Sequence, residues 1–112
     1  MSNSYKNAEG QLHRIDGPAI EWADGTTHWY INGERHRIDG PAVEWADGSK
    51  EWYINGERHR IDGPAVEYAD GSKEWWITDK DVTDEVNNWL NENNVSYPFD
   101  EDELVQFKLR WL

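Results

Sequence analysis

His36-Arg37-Ile38-Asp39-Gly40-Pro41-Ala42-Val43-Glu44-Trp45-Ala46-Asp47-Gly48 is the stretch whose reading decides the fold. Nearly the same string starts at His13 and again at His59, 23 residues away in either direction. A fixed internal period marks a repeat architecture, in which each unit buries its apolar surface against its neighbours. Three copies fill residues 13–78. Residues 1–12 read as a half-repeat cap, because Glu9-Gly10 stands 23 residues before Asn32-Gly33 and terminal units are often atypical. Residues 79–112 break the period and read as a helical C-terminal cap.

Each copy carries two turn signals. Asp24-Gly25, Asp47-Gly48 and Asp70-Gly71 separate alternating segments, as do Asn32-Gly33 and Asn55-Gly56. Such pairs favour two-residue type I′ hairpin loops, which need positive φ twice. A two-residue loop at Asp24-Gly25 sets Ile20 opposite Trp29 and Trp22 opposite Thr27, all on one side with Ile31. Ala19, Glu21, His28 and Tyr30 then share the other side. The loop at Asn32-Gly33 sets His36 beside Trp29 and Arg37 beside His28. In the next copy that row becomes Glu44, Glu51 and Arg60. One face is thus expected to be aromatic and the other laced with cross-strand charge pairs, each contributing roughly 0.2–1 kcal/mol. The Asp-Gly-Pro triplets at 16–18, 39–41 and 62–64 interrupt the longer strand, since Pro cannot donate to a ladder and Gly weakens one. They read as a kink or as a third tight turn. The expected fold is mainly β: an antiparallel meander of stacked 23-residue hairpins, followed by two short α-helices. Stacking predicts three ring ladders: Trp22, Trp45 and Tyr68; Trp29, Trp52 and Trp75; Tyr30, Tyr53 and Trp76.

The pattern breaks at Thr78-Asp79-Lys80. Thr83 is the expected N-cap of a first helix, with Asp84 and Glu85 in its first turn. Val86, Trp89 and Leu90 recur at helical spacing, and Asn93-Asn94 ends the run. Asp100 opens a second helix with Glu103 three residues on, a capping-box spacing. Leu104, Phe107, Lys108 and Trp111 share one side of it, with Val105, Leu109 and Leu112 adjacent. The helices are expected to cover the last strand edge or part of the aromatic face, because a bare edge invites aggregation.

Composition narrows the function. Among 112 residues there are 23 Asp and Glu against 11 Lys and Arg, a net charge of −12. That argues against direct nucleic-acid or anionic-membrane binding, which both call for basic patches. There is no cysteine, so disulfides, thiolate catalysis and Cys metal sites are excluded. Met1 to Lys6 lacks the apolar core of a signal peptide, and a cytoplasmic location is expected. His13, His36 and His59 recur with Asp16, Asp39 and Asp62. Equivalent positions two strands apart are separated by about 9.6 Å, too far to share one zinc ion with ligands about 2 Å away. An active site is needed once, whereas these residues occur three times. No catalytic residue, cofactor or metal ligand is therefore expected.

The segment Trp52-Tyr53-Ile54-Asn55-Gly56, with His59, Gly63 and Glu67-Tyr68-Ala69-Asp70-Gly71, resembles the MORN repeat. The likeness covers about residues 9–78. The His-Arg-Ile-Asp-Gly-Pro-Ala string resembles a variant found in bacterial and bacteriophage proteins, and it lacks the second Gly usual near Pro64 in the eukaryotic pattern. The ending Phe107-Lys108-Leu109-Arg110-Trp111-Leu112 is similar to small phage proteins. The resemblance implies an elongated stack of hairpins acting as an interaction scaffold, and some bacterial relatives carry an antitoxin label.

These readings point to a small acidic phage or bacterial inhibitor that blocks a partner protein, such as a CRISPR effector or another host-defence nuclease, or a toxin. Its contacts are expected at Trp22, Trp29, Tyr30, Trp45, Trp52, Tyr53, Tyr68, Trp75 and Trp76, since Trp and Tyr dominate binding hot spots. The carboxylates Glu44, Glu51, Glu67 and Glu74 and the acidic Asp100, Glu101 and Asp102 suit a basic partner. Two alternatives share the features: a DNA mimic filling a nucleic-acid groove, and a structural or assembly protein that forms homo-oligomers.

Overall fold

The computed structural model describes residues 2–112. Its elements are β1 (Asn3–Ser4), β2 (Ile20–Glu21), β3 (Thr27–His28), β4 (Tyr30–Ile31), β5 (Glu34–Arg35), β6 (Val43–Glu44), β7 (Lys50–Glu51), β8 (Tyr53–Ile54), β9 (Glu57–Arg58), β10 (Val66–Glu67), β11 (Lys73–Glu74), β12 (Trp76–Ile77), β13 (Lys80–Asp81), α1 (Thr83–Glu92) and α2 (Glu101–Trp111). The protein is mainly β, with antiparallel hairpins followed by two C-terminal helices. It is elongated, measuring 48 × 27 × 22 Å.

Each repeat contributes twice. Its first two strands join a shared seven-stranded sheet of order β1-β2-β3-β6-β7-β10-β11. Past Trp29, Trp52 and Trp75 the chain leaves that sheet and forms a separate hairpin: β4 with β5, β8 with β9, β12 with β13. The repeat is therefore bent at its second aromatic ring.

The loop at Asp24-Gly25 differs from the expected one. Trp22 N–H donates to the Thr26 carbonyl at 2.9 Å and Gly25 N–H to the Trp22 carbonyl at 3.1 Å. Three residues, not two, make the turn, with Gly25 alone at positive φ (96°). Asp24 Oδ1 accepts from Thr26 N–H at 2.9 Å, and Asp47 and Asp70 repeat that bond with Ser49 and Ser72. The register moves by one: Ile20 faces His28 rather than Trp29, and Trp22 faces Thr26. A one-residue slip sends side chains to the opposite face, so Trp22 and Trp29 lie on opposite sides. Among the described residues there is no purely aromatic face.

The Asn-Gly loops match expectation. Tyr30 pairs with Arg35 and Ile31 with Glu34 across Asn32 and Gly33, at φ 48° and 83°. His36 N–H meets the Trp29 carbonyl at 3.2 Å, but Arg37 does not continue the ladder to His28. Its N–H donates to the Tyr53 carbonyl of the next repeat instead, at 3.1 Å. The Asp-Gly-Pro segments are bends lying outside any strand.

The period runs one hairpin further than the sequence indicates. β12 and β13 pair Trp76 with Asp81 and Ile77 with Lys80. Thr78 (φ 48°) and Asp79 (φ 65°) take the place of Asn-Gly. The cap then begins. Thr83 is not the N-cap of α1; Val82 is. Thr83 instead offers its hydroxyl oxygen to Trp75 N–H at 3.0 Å, where earlier repeats use the next copy's Ala42 or Ala65 carbonyl. α2 has the expected capping box, with Glu103 N–H on Asp100 Oδ1 at 2.8 Å and Asp100 N–H on Glu103 Oε1 at 3.0 Å. Asn93 caps the C-terminus of α1 as expected. Val86 and Phe107 are fully buried with Trp75 and Val82, and Trp89, Leu90, Tyr97, Phe99 and Trp111 pack around them. At the other end Tyr5 plays the part of the repeat tryptophan: its N–H bonds the Ala19 carbonyl at 2.8 Å.

Thr78 is β-branched and sits in the left-handed region, which costs such a residue roughly 1–2 kcal/mol. Asn holds the equivalent sites at Asn32 and Asn55. Thr78→Asn is expected to stabilise the protein by about 1 kcal/mol, measured by urea denaturation of both chains. An unchanged midpoint contradicts this account of the turn.

Candidate functional site

Every repeat is locked to its neighbour by one arginine. Arg37 Cζ lies 4.0 Å from the centre of the Trp29 ring, and Arg60 Cζ 3.8 Å from that of Trp52. Arg14 covers Tyr5 at 4.2 Å. Nε and Nη1 of each guanidinium are bonded locally. Arg37 Nε donates to Asp39 Oδ1 at 2.9 Å and Nη1 to the Pro41 carbonyl at 3.2 Å. Glu44 Oε2 stands 3.5 Å from Nη1, and Glu67 makes the same contact with Arg60 at 2.7 Å. A desolvated cation on a Trp face contributes about 2 kcal/mol. Gly40 and Gly63 have ordinary φ values; a Cβ there meets the Arg37 or Arg60 Cζ at 3.1 or 2.8 Å. These glycines make room for the guanidinium. Asp39 is held below the ordinary carboxylate range by its bond to Arg37 and that group's charge. The histidines serve the same joint: His36 Nδ1 accepts from Asn55 N–H at 3.0 Å and His59 Nδ1 from Thr78 N–H at 2.8 Å.

The other face carries a second column. Arg35 lies between Tyr30 and Tyr53, at 5.8 and 5.4 Å, and Arg58 lies between Tyr53 and Trp76, at 5.7 and 5.0 Å. Two of the three expected ring ladders thus take guanidinium groups as neighbours, and the third, Trp22, Trp45 and Tyr68, does not. Glu51 gathers Trp45 Nε1 at 2.7 Å, Tyr53 OH at 2.9 Å and Arg58 Nη2 at 3.3 Å. Burial pushes its carboxyl up, but those hydrogen bonds outweigh burial and it titrates below its ordinary value. Glu74 gathers Tyr68 OH at 2.6 Å and Trp76 Nε1 at 2.9 Å.

The sixteen residues expected to meet a partner therefore divide. Trp29, Trp52 and Trp75 are occupied by the clamp or the cap, and Tyr30, Tyr53 and Trp76 by the second column. Glu44 and Glu67 bind clamp arginines, while Glu51 and Glu74 pin rings, so these four do not form one acidic row. Asp100 is spent on the capping box; Glu101 and Asp102 are exposed. What the repeats leave free is the row Trp22, Trp45 and Tyr68, exposed by 49, 42 and 43%. Glu51 and Glu74 pin the polar edges of Trp45 and Tyr68, so both rings are held in place at the surface. A second free row was not foreseen: Ile15 and Ile38 on the clamp loops, exposed by 80 and 85%, followed by Ile61. Its signal was an isoleucine kept between Arg and Asp in all three copies, at a bend where no core position is available. Among the described residues no three His, Cys, Asp or Glu side chains converge on a potential metal site, and no helix is long and apolar enough to cross a membrane.

One position departs from the repeat. His28 stands where the later copies have Glu51 and Glu74. It is buried, stacks on Tyr30, meets Trp45 edge-on at 5.4 Å and leaves Nδ1 without a partner. Arg35 consequently lacks the carboxylate that Arg58 has. Burial, then the Arg35 charge, lower the imidazole pKa below its ordinary value. A depressed histidine costs nothing while both states are neutral; stability is lost as pH falls below about 6.5, where the unfolded chain takes up the proton. His28→Glu is expected to add about 1 kcal/mol at pH 7 and to remove that loss between pH 7 and 5.5. Thermal melts across that range check both effects.

Comparison with family models, curated proteins and solved structures found no match in any of the three.

Proposed function

We propose that the chain is a non-enzymatic protein-binding module that blocks its partner through the Trp22, Trp45 and Tyr68 row. The observation that carries this reading is the exposure of three large aromatic side chains at the repeat period, two of them anchored by a hydrogen bond from the ring's polar edge to a carboxylate. An anchored ring loses little further freedom on binding, and exposed aromatic patches mark interaction sites. The net charge of −12 favours a basic partner surface and an electrostatically steered encounter. The MORN-like spacing supports a scaffold rather than an enzyme, and its His-Arg-Ile-Asp-Gly-Pro-Ala variant supports a phage or bacterial setting in the host cytoplasm. A host-defence nuclease of the CRISPR type, or a toxin, is the partner class that fits. The DNA-mimic reading is weaker, because Glu44, Glu51 and Glu67 each pair with an arginine of this chain. Homo-oligomerisation through the same row is the assembly alternative.

The experiment is capture from a bacterial lysate, identification of the partner, and binding isotherms with the purified pair. Joint replacement of Trp22, Trp45 and Tyr68 by Ser is expected to weaken binding at least about 30-fold, the effect of losing one hot spot of about 2 kcal/mol. Circular dichroism must stay unchanged. Undiminished affinity in the folded triple variant overturns the reading. A steep fall of wild-type affinity with salt that survives the triple replacement favours the DNA mimic instead.

A further inference from the structure

The opposite face carries a built trough. Two grooves of 590 and 560 Å³ lie between successive clamp loops. One is floored by Trp52 and Ile54, the other by Trp29 and Ile31, and both are bounded by the same Ile38 and Asp39. They are one surface crossed by an exposed isoleucine ridge, so an occupant of both is an extended chain rather than a compact ligand.

The spacing, donors and charge narrow that occupant. Successive repeats lie two strands apart in the sheet, about 9.6 Å. A polyproline II segment returns a side chain to the same face every third residue, about 9.3 Å on. A β-strand does so at about 6.7 Å. An α-helix does so after seven residues, about 10.5 Å, and its carbonyls are already bonded. The residues that line the trough include several N–H donors, Trp29 and His36 in one groove and Trp52 and His59 in the other. Trp45 and Trp76 indoles are bonded within the chain, but Trp29 and Trp52 Nε1 donate to nothing among the described residues and are not buried. His36 and His59 accept at Nδ1, so in the neutral ring the proton sits on Nε2. A proline-rich backbone exposes carbonyls and few N–H groups, which matches a surface of donors. The smaller groove sets Arg37 against Asp16 and Asp39 and the larger sets Arg37 and Arg60 against Asp39 and Asp62, and the Asp39 carboxylate common to both stays 80% exposed at the rim.

We propose that this trough binds a polyproline II segment of a partner protein, with apolar side chains three residues apart seated in successive grooves and a Lys or Arg beside Asp39. The inference uses a different face from the Trp22 row and stands or falls separately.

The test is fluorescence anisotropy with a labelled peptide, three Leu-Pro-Pro units flanked by Lys, against the full chain. Saturable binding is expected, lost at least tenfold on Ile38→Asp and weakened by Trp52→Phe, which keeps the ring and removes the donor. Ile38 is exposed, so the first variant folds; a thermal melt checks both. The Ser triple variant at Trp22, Trp45 and Tyr68 is expected to bind the peptide like the parent chain. Three outcomes overturn the proposal: no saturation at millimolar peptide, binding indifferent to Ile38→Asp, or tighter binding of an amphipathic helical peptide or of a control with Leu at every second position.

Discussion

The array depends on a planar cation laid across the ring of the preceding repeat. A lone hairpin of this size is marginal in water, because it has one layer and no core of its own. The clamp supplies the missing layer. Arg37 covers the Trp29 face while Asp39 and the Pro41 carbonyl accept from its Nε and Nη1, and the Glu44 carboxylate stands 3.5 Å from Nη1. The arrangement explains five residue choices at once. Arg is needed because a Lys ammonium has no flat face and no fork. Gly40 is needed for clearance. Pro41 fixes the bend that turns its carbonyl back. Asp39 and Glu44 hold the cation from two sides, so little of its desolvation goes uncompensated.

A stack held by forward-reaching arginines has a problem at each end. At the start no ring precedes Arg14, and the half-repeat delivers Tyr5 to it. At the finish Trp75 has no following arginine. The C-terminal cap solves this with rings: Tyr97 and Phe99 of the connector and Phe107 of α2 lie within 5.3–5.8 Å of Trp75. Tyr97 also receives Arg60 Nη2 at 3.1 Å, so the last clamp and the cap are one cluster. Thr83 and Val82 meanwhile satisfy the Trp75 backbone. The cap thus reproduces, with unrelated residues, both the hydrogen bonds and the ring cover that a fourth repeat would bring.

The period, the strands, the Asn-Gly hairpins and the capping box were legible because each rests on a local rule. The register was not. Asp-Gly serves two- and three-residue loops alike, and the choice here is made by the Asp24 side chain bonding Thr26 N–H. One residue of difference exchanged the faces and turned a supposed aromatic sheet into two mixed columns. The role of Gly17, Gly40 and Gly63 was hidden for a related reason: a glycine kept for clearance looks in sequence like a glycine kept for a turn. Thr78-Asp79 concealed a hairpin because a β-branched Thr disfavours positive φ and no Gly follows it; the preceding ladder imposes it.

That exchange of faces also decides which aromatics are available. Trp29 and Trp52 cannot be removed without stripping the clamp of its platform, so their loss reads as unfolding whatever they bind. Trp22, Trp45 and Tyr68 carry no clamp arginine. Their neighbours Glu51 and Glu74 hold two of them by the edge, which fixes the rings while leaving their surface open. Folding and recognition are thereby assigned to different rows of one short repeat. A change in the exposed row alters what is bound with little effect on the stack, and a change in the clamped row does the reverse.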